Sequence, residues 1–158
     1  KLAVPTEVLE KAGQFTDDEW HTMRAHVYYT FRALSSLPAL DKLTSWSALH
    51  QERLDGSGYP FGYTADRLPL GARVLAVADV FVAITEDRPY RNGMPEHEAR
   101  TVLADMAARR QLDPDIVRAL FDDFGAINTI RAEAQAKARA AFQRFRENLS
   151  GCTKDDSV

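Results

Sequence analysis

Leu49-His50-Gln51-Glu52-Arg53-Leu54-Asp55-Gly56-Ser57-Gly58-Tyr59-Pro60 is the stretch from which the rest of the chain is read. A helical run reaches His50 and then stops, because Gly56, Gly58 and Pro60 crowd too many breakers together for a helix to continue. The two glycines are free to take positive φ or to let a ligand approach the backbone, and Pro60 stiffens the exit. His50, Glu52, Arg53, Asp55 and Tyr59 add acid, base and hydrogen-bonding groups to this one bend. A plain surface turn needs one or two such features, so the whole set predicts a functional loop.

Working back toward the N-terminus, Asp41 to Gln51 reads as a helix that offers Leu43, Trp46, Leu49 and His50 to the interior. Before it, Thr16-Asp17-Asp18-Glu19 is a capping box, and Phe15 and Trp20 have the spacing of a hydrophobic staple. The helix that starts there is expected to run to about Leu34. Trp20, Met23, Val27, Phe31 and Leu34 step by three and four as its core face, with His26 beside the stripe. Thr6 to Ala12 reads as a short helix closed by Gly13.

Working forward, the loop from Glu52 to Pro69 has no strong period, and Tyr59, Phe61 and Tyr63 argue that it is ordered. Gly71 to Thr85 is the most apolar helix, with Val74, Leu75, Val77, Val80, Phe81, Val82 and Ile84, and it is expected to be buried all round. Asp79 in its middle must then meet a metal, a cation or several donors, since a lone buried carboxylate is too costly to keep. Pro95 opens a helix to about Arg110, and Asp113-Pro114 caps another to about Phe124. Ile127, Ile130, Ala134, Ala138, Ala141, Phe145 and Leu149 mark a last amphipathic helix, suited to packing on the domain or pairing with a second copy. Gly151 to Val158 is expected to be a disordered tail. The chain reads as all-α: a main domain over 1–124, an appended helix over 125–150 and the tail over 151–158.

The totals exclude other classes. A length of 158 residues suits one domain with an appended element. A net charge of −3 gives no global attraction to a nucleic-acid polymer or an anionic membrane. No apolar run approaches the ~20 residues that span a bilayer, and no signal peptide is expected at the start. One cysteine, Cys152, rules out an intramolecular disulfide and fits a reducing, cytoplasmic compartment.

His26, His50 and Asp79 stand on three separate predicted helices. Imidazole and carboxylate together suit iron, manganese, zinc or nickel better than calcium or magnesium. With them in view, the string from His50 to Pro60 resembles the HHxxxDGxGYP signature of HD-GYP domains. Asp79 and Asp87-Arg88-Pro89-Tyr90-Arg91 are similar to that family's later VAD…DRPYR segment. Lys1-Leu-Ala-Val-Pro resembles the residues that follow its HDxGK motif, so the His-Asp pair is expected immediately before Lys1.

The resemblance covers about Lys1 to Phe121 and implies an all-helical, HD-domain-like bundle that hydrolyses cyclic di-GMP with two or three iron or manganese ions. By position, it implies His26, His50 and Asp79 as metal ligands. Gln51, in the place of the signature's second histidine, is a poor replacement for imidazole. Arg88 and Arg91 would grip the dinucleotide. Tyr59, Gly56 and Gly58 would lie beside it, and Lys1 and Asp55 would belong to the catalytic set. The partners implied are cyclic di-GMP, an attached sensor or diguanylate cyclase-type domain, and a second copy through the last helix. Two readings stay open. One is a phosphodiesterase producing pGpG or GMP. The other is a catalytically degenerate relative that binds the dinucleotide or a signalling partner.

Overall fold

The computed structural model describes residues 4–9, 11, 13–87 and 91–152, with Pro38 and residues 149–152 described by their backbone alone. Seven α-helices and two single 3-10 turns make up the described secondary structure: α1 (Thr6–Leu9), α2 (Asp17–Ser35), α3 (Asp41–Leu49), α4 (Leu70–Thr85), α5 (Glu96–Ala108), α6 (Pro114–Asp122) and α7 (Phe124–Cys152). No strand forms among the described residues, and the fold is all-α. The chain divides into two compact units between Phe121 and Asp122.

In the first unit, α2 packs on α3, α3 on α4 and α4 on α5. The start of α2 is set by chemistry local to the chain. Thr16 Oγ1 accepts from the Glu19 amide at 3.3 Å, and the Thr16 amide donates to Glu19 Oε2 at 2.7 Å. Lys11 Nζ sits 2.5 Å from the same Glu19 oxygen, and Phe15 meets Trp20 edge-on at 5.2 Å between ring centres. At α6, Asp113 Oδ1 accepts from the Asp115 and Ile116 amides, while Oδ2 accepts from Arg73 Nη1 at 2.8 Å.

The buried faces depart from the expected stripes. In α2 only His26 and Val27 are buried, while Trp20 and Phe31 are 42% and 43% exposed. The buried line is therefore narrow and centred on His26, because α3 covers one strip of the helix. In α3, Leu43 is 48% exposed and Leu49 is buried. The apolar helix α4 is not buried all round either. It turns Ala72, Ala76, Val77 and Phe81 inward, and leaves Val74 and Leu75 44% and 38% exposed. Asp79 lies on a partly buried side of α4, so the premise that it is fully buried is corrected.

Leu49, Leu54, Leu68 and Ala72 form a small core with Trp46, Tyr63 and Ala65 against it, which seats the 52–69 loop on α3 and α4. The second unit is dominated by α7, whose Ile130, Phe142 and Phe145 are exposed. Residues 153–158, most of the expected tail, lie outside the described residues. No described helix is long and apolar enough to cross a membrane.

Candidate metal centre

His26, from the middle of α2, and His50, at the C-cap of α3, face each other with ring centres 5.6 Å apart. Each ring is held by the carbonyl three residues before it. His26 Nδ1 lies 2.5 Å from Met23 O, and His50 Nδ1 lies 2.6 Å from Ser47 O. A carbonyl only accepts, so Nδ1 is the donor in each ring and Nε2 is the nitrogen left for other partners. Metal-ligating histidines are commonly oriented this way, by a carbonyl bound to the ring nitrogen that does not meet the ion. Asp79 joins them: His26, His50 and Asp79 line one pocket of about 550 Å³ together with Thr30, Ser47 and Leu75.

The donors fit a transition metal in kind, since two imidazoles and a carboxylate suit iron, manganese or zinc. They do not form a closed cluster, because no three His, Cys, Asp or Glu side chains come together as a metal-holding group among the described residues. The three thus border one pocket without forming a complete ligand shell.

Beside these residues stands the glycine-bent loop. Gln51 Nε2 donates to Asp79 Oδ2 at 2.9 Å, and Tyr59 Oη donates to Gln51 Oε1 at 3.1 Å. Burial, and then the negative charge of Asp79, push the Tyr59 phenol up to about 12. The Arg24 guanidinium lies 5.3 Å from the Tyr59 ring centre. Gly56 takes φ of +81°, as expected of a glycine in a tight bend. The close approach at Gly58 is to its own chain: a Cβ there would lie 2.4 Å from Arg53 N and from Glu52 Cα.

Glu52 organises this loop, a role the sequence reading did not give it. Its buried carboxylate accepts from the Phe61 amide at 2.7 Å and the Tyr63 amide at 3.0 Å. The available signal was an acid at the head of a long loop without regular structure.

Asp55 is not brought to the pocket. It is exposed and uses Oδ1 to accept from the Ser57 amide and hydroxyl at 2.9 and 2.7 Å, which makes it a turn-former in this structure. Burial works against its charge, but the Ser57 hydrogen bonds outweigh it and hold the carboxyl below its usual range. Arg91 does not line the pocket either; its Nη2 donates to Ala83 O at 2.6 Å. Lys1 and Arg88 lie outside the described residues.

An all-α bundle that brings histidines and an aspartate from separate helices to one pocket, beside this loop, defines the class of helical HD-type domains. The HD domain family matches residues 1–116, and the chain belongs to that family, in the HD-GYP branch whose signature the loop carries. It is similar to a cyclic di-GMP phosphodiesterase response regulator of Xanthomonas campestris, at 40% identity over 76% of this chain and 32% of the relative. A cyclic di-GMP phosphodiesterase of Pseudomonas aeruginosa is 39% identical over 79% of this chain and 30% of its own length. A 3'3'-cGAMP-specific phosphodiesterase of Vibrio cholerae is 35% identical over 76% of this chain and 26% of its own. The chain spans about a third or less of the length of these curated relatives.

Proposed function

We propose that this chain serves a metal-dependent phosphodiesterase that opens cyclic di-GMP to linear pGpG, or hydrolyses it on to GMP. The observation that carries the reading is the pair of imidazoles on one pocket with Asp79, each with its Nδ1 bound to a carbonyl. His26, His50 and Asp79 would hold iron or manganese, with further ligands from outside this set. When bound, such an ion supplies charge neutralisation at the phosphoryl oxygens and a water acidified toward neutral pH. The chain's own residues do the positioning. The Met23 and Ser47 carbonyls orient both rings through Nδ1. Arg88 supplies planar guanidinium donors for the phosphates, for which an arginine fork is better shaped than lysine, and Arg91 would join it only on leaving the Ala83 carbonyl. Tyr59, Gly56 and Gly58 form the lip beside the dinucleotide, Lys1 belongs to the catalytic set, and Asp55 shapes the lip through its turn to Ser57.

The test is incubation of manganese-loaded and iron-loaded protein with cyclic di-GMP and, separately, with 3'3'-cGAMP, with products resolved by chromatography. The expected result is pGpG from cyclic di-GMP, with at least a hundredfold loss in Asp79→Ala and His50→Ala. A second reading, a non-catalytic module that binds the dinucleotide, draws on Gln51 in a histidine position and on the incomplete ligand shell among the described residues. Dinucleotide binding without cleavage by metal-loaded protein would favour it.

The same reading extends to partners and place. It sets the protein in the cytoplasm, under an attached sensor or beside a diguanylate cyclase-type domain. It also pairs a second copy through α7, whose exposed Ile130 and Phe145 support that role.

A further inference from the structure

Gln51 has both ends of its amide engaged. Its oxygen accepts from the Tyr59 hydroxyl at 3.1 Å, and its nitrogen donates to Asp79 Oδ2 at 2.9 Å. The orientation follows from the chemistry: turned the other way, the amide oxygen would face a carboxylate oxygen, and two acceptors repel. Tyr59 at the far end is itself tied down. Its amide donates to Gln51 O at 3.2 Å, and Gly58 beside it packs flat on the backbone of residues 51–53. Glu52 fixes the next turn through the Phe61 and Tyr63 amides.

We infer that Gln51 is a positioning residue rather than a metal ligand: it brackets one oxygen of Asp79 to the anchored Tyr59, so that metal retention depends on the seating of the glycine-bent loop. This rests on the reading of the His26–His50–Asp79 pocket as a metal centre. Freely rotating carboxylates lose orientation on binding a cation, and a residue that fixes the carboxylate beforehand lowers that cost. A loop displaced by substrate or partner would release the bracket and loosen the ion.

The experiment titrates the metal-free protein with Co²⁺, reading affinity by calorimetry and ligand number by the visible absorption of the bound ion. Three variants are compared with the wild type: Gln51→Leu, Tyr59→Phe and the double variant. Tyr59→Phe keeps the ring in place and removes only the hydroxyl, and circular dichroism melting confirms that each variant folds. Gln51→Leu is expected to weaken Co²⁺ binding 10- to 100-fold, the usual effect of removing an outer-shell partner, with the absorption bands of the bound ion unchanged. Tyr59→Phe should weaken it several-fold. The double variant should be no weaker than Gln51→Leu alone, because Tyr59 acts through Gln51. Altered bands in Gln51→Leu would make Gln51 a ligand and overturn the inference. Equal affinity in all four proteins, or additive losses, would overturn it while leaving the metal centre standing. No Co²⁺ binding by the wild type would overturn both.

Discussion

Tyr59 joins the loop to the pocket, and its titration reports that link. Burial and the nearby Asp79 raise the phenol from 10.0 to about 12. Because folding raises this pKa, the contribution to stability is complete below the ordinary value and is lost as pH climbs through the folded one. In a titration followed by phenolate absorbance, one tyrosine should ionise near 12, and Tyr59→Phe should remove that step. Gly58 is the other residue whose identity the geometry dictates. A Cβ 2.4 Å from Arg53 N must move backbone rather than a flexible side chain. Gly58→Ala should therefore cost about 1–3 kcal/mol, the range of an overpacked site, measured by urea unfolding. Both roles were partly legible. The tight spacing of Gly56, Gly58 and Pro60 announced a bend, but what lay against Gly58 depended on how the bend folded back on residues 51–53.

At the scale of elements, the 52–69 loop holds its shape through one buried carboxylate rather than through regular structure. Glu52→Ala removes the acceptor of two backbone amides and leaves both to find water. A loss of about 3 kcal/mol is expected, since hydrogen bonds to a charged group contribute ~1.5–3 kcal/mol each and do not add fully. Hydrogen exchange at Phe61 and Tyr63 should speed up in the same variant. The start of α2 responds to pH. The Lys11 hydrogen bond first, and the Thr16 amide second, lower the Glu19 carboxyl from its usual 4.5. A lowered folded pKa means the stabilisation is present above the ordinary value and is lost as pH falls through the folded one. Helical ellipticity should fall over that acid range in the wild type, and Glu19→Gln should flatten the dependence. The capping box was legible because its partners are three residues apart. The core stripe of α2 was not: periodicity marks a face of a helix, but which part of that face is covered is decided by where α3 lies. The same holds for α4, whose continuous apolar run still leaves Val74 and Leu75 exposed.

At the scale of the molecule, metal and stability are linked. An ion that binds the folded chain and not the unfolded one adds ~2.7 kcal/mol at a concentration roughly a hundredfold above its Kd. Melting of metal-free protein with and without Mn²⁺ should show an upward shift that a chelator reverses and that Asp79→Ala or His26→Ala abolishes. An unchanged melting temperature across a wide Mn²⁺ range would count against the pocket as a metal centre.

The family, the all-α class and the position of each helix start could be read from the chain alone, because caps, glycine bends and motif spacings are local relations that survive without a third dimension. That His26, His50 and Asp79 border one pocket was an expectation from resemblance, since nothing in their separation along the chain places them together. Only the packed helices decided that Arg91 rests on Ala83 and that Gln51 spans from Tyr59 to Asp79. Those contacts bring together groups on different elements or across a loop, and their distances follow from how the elements pack and how the loop closes.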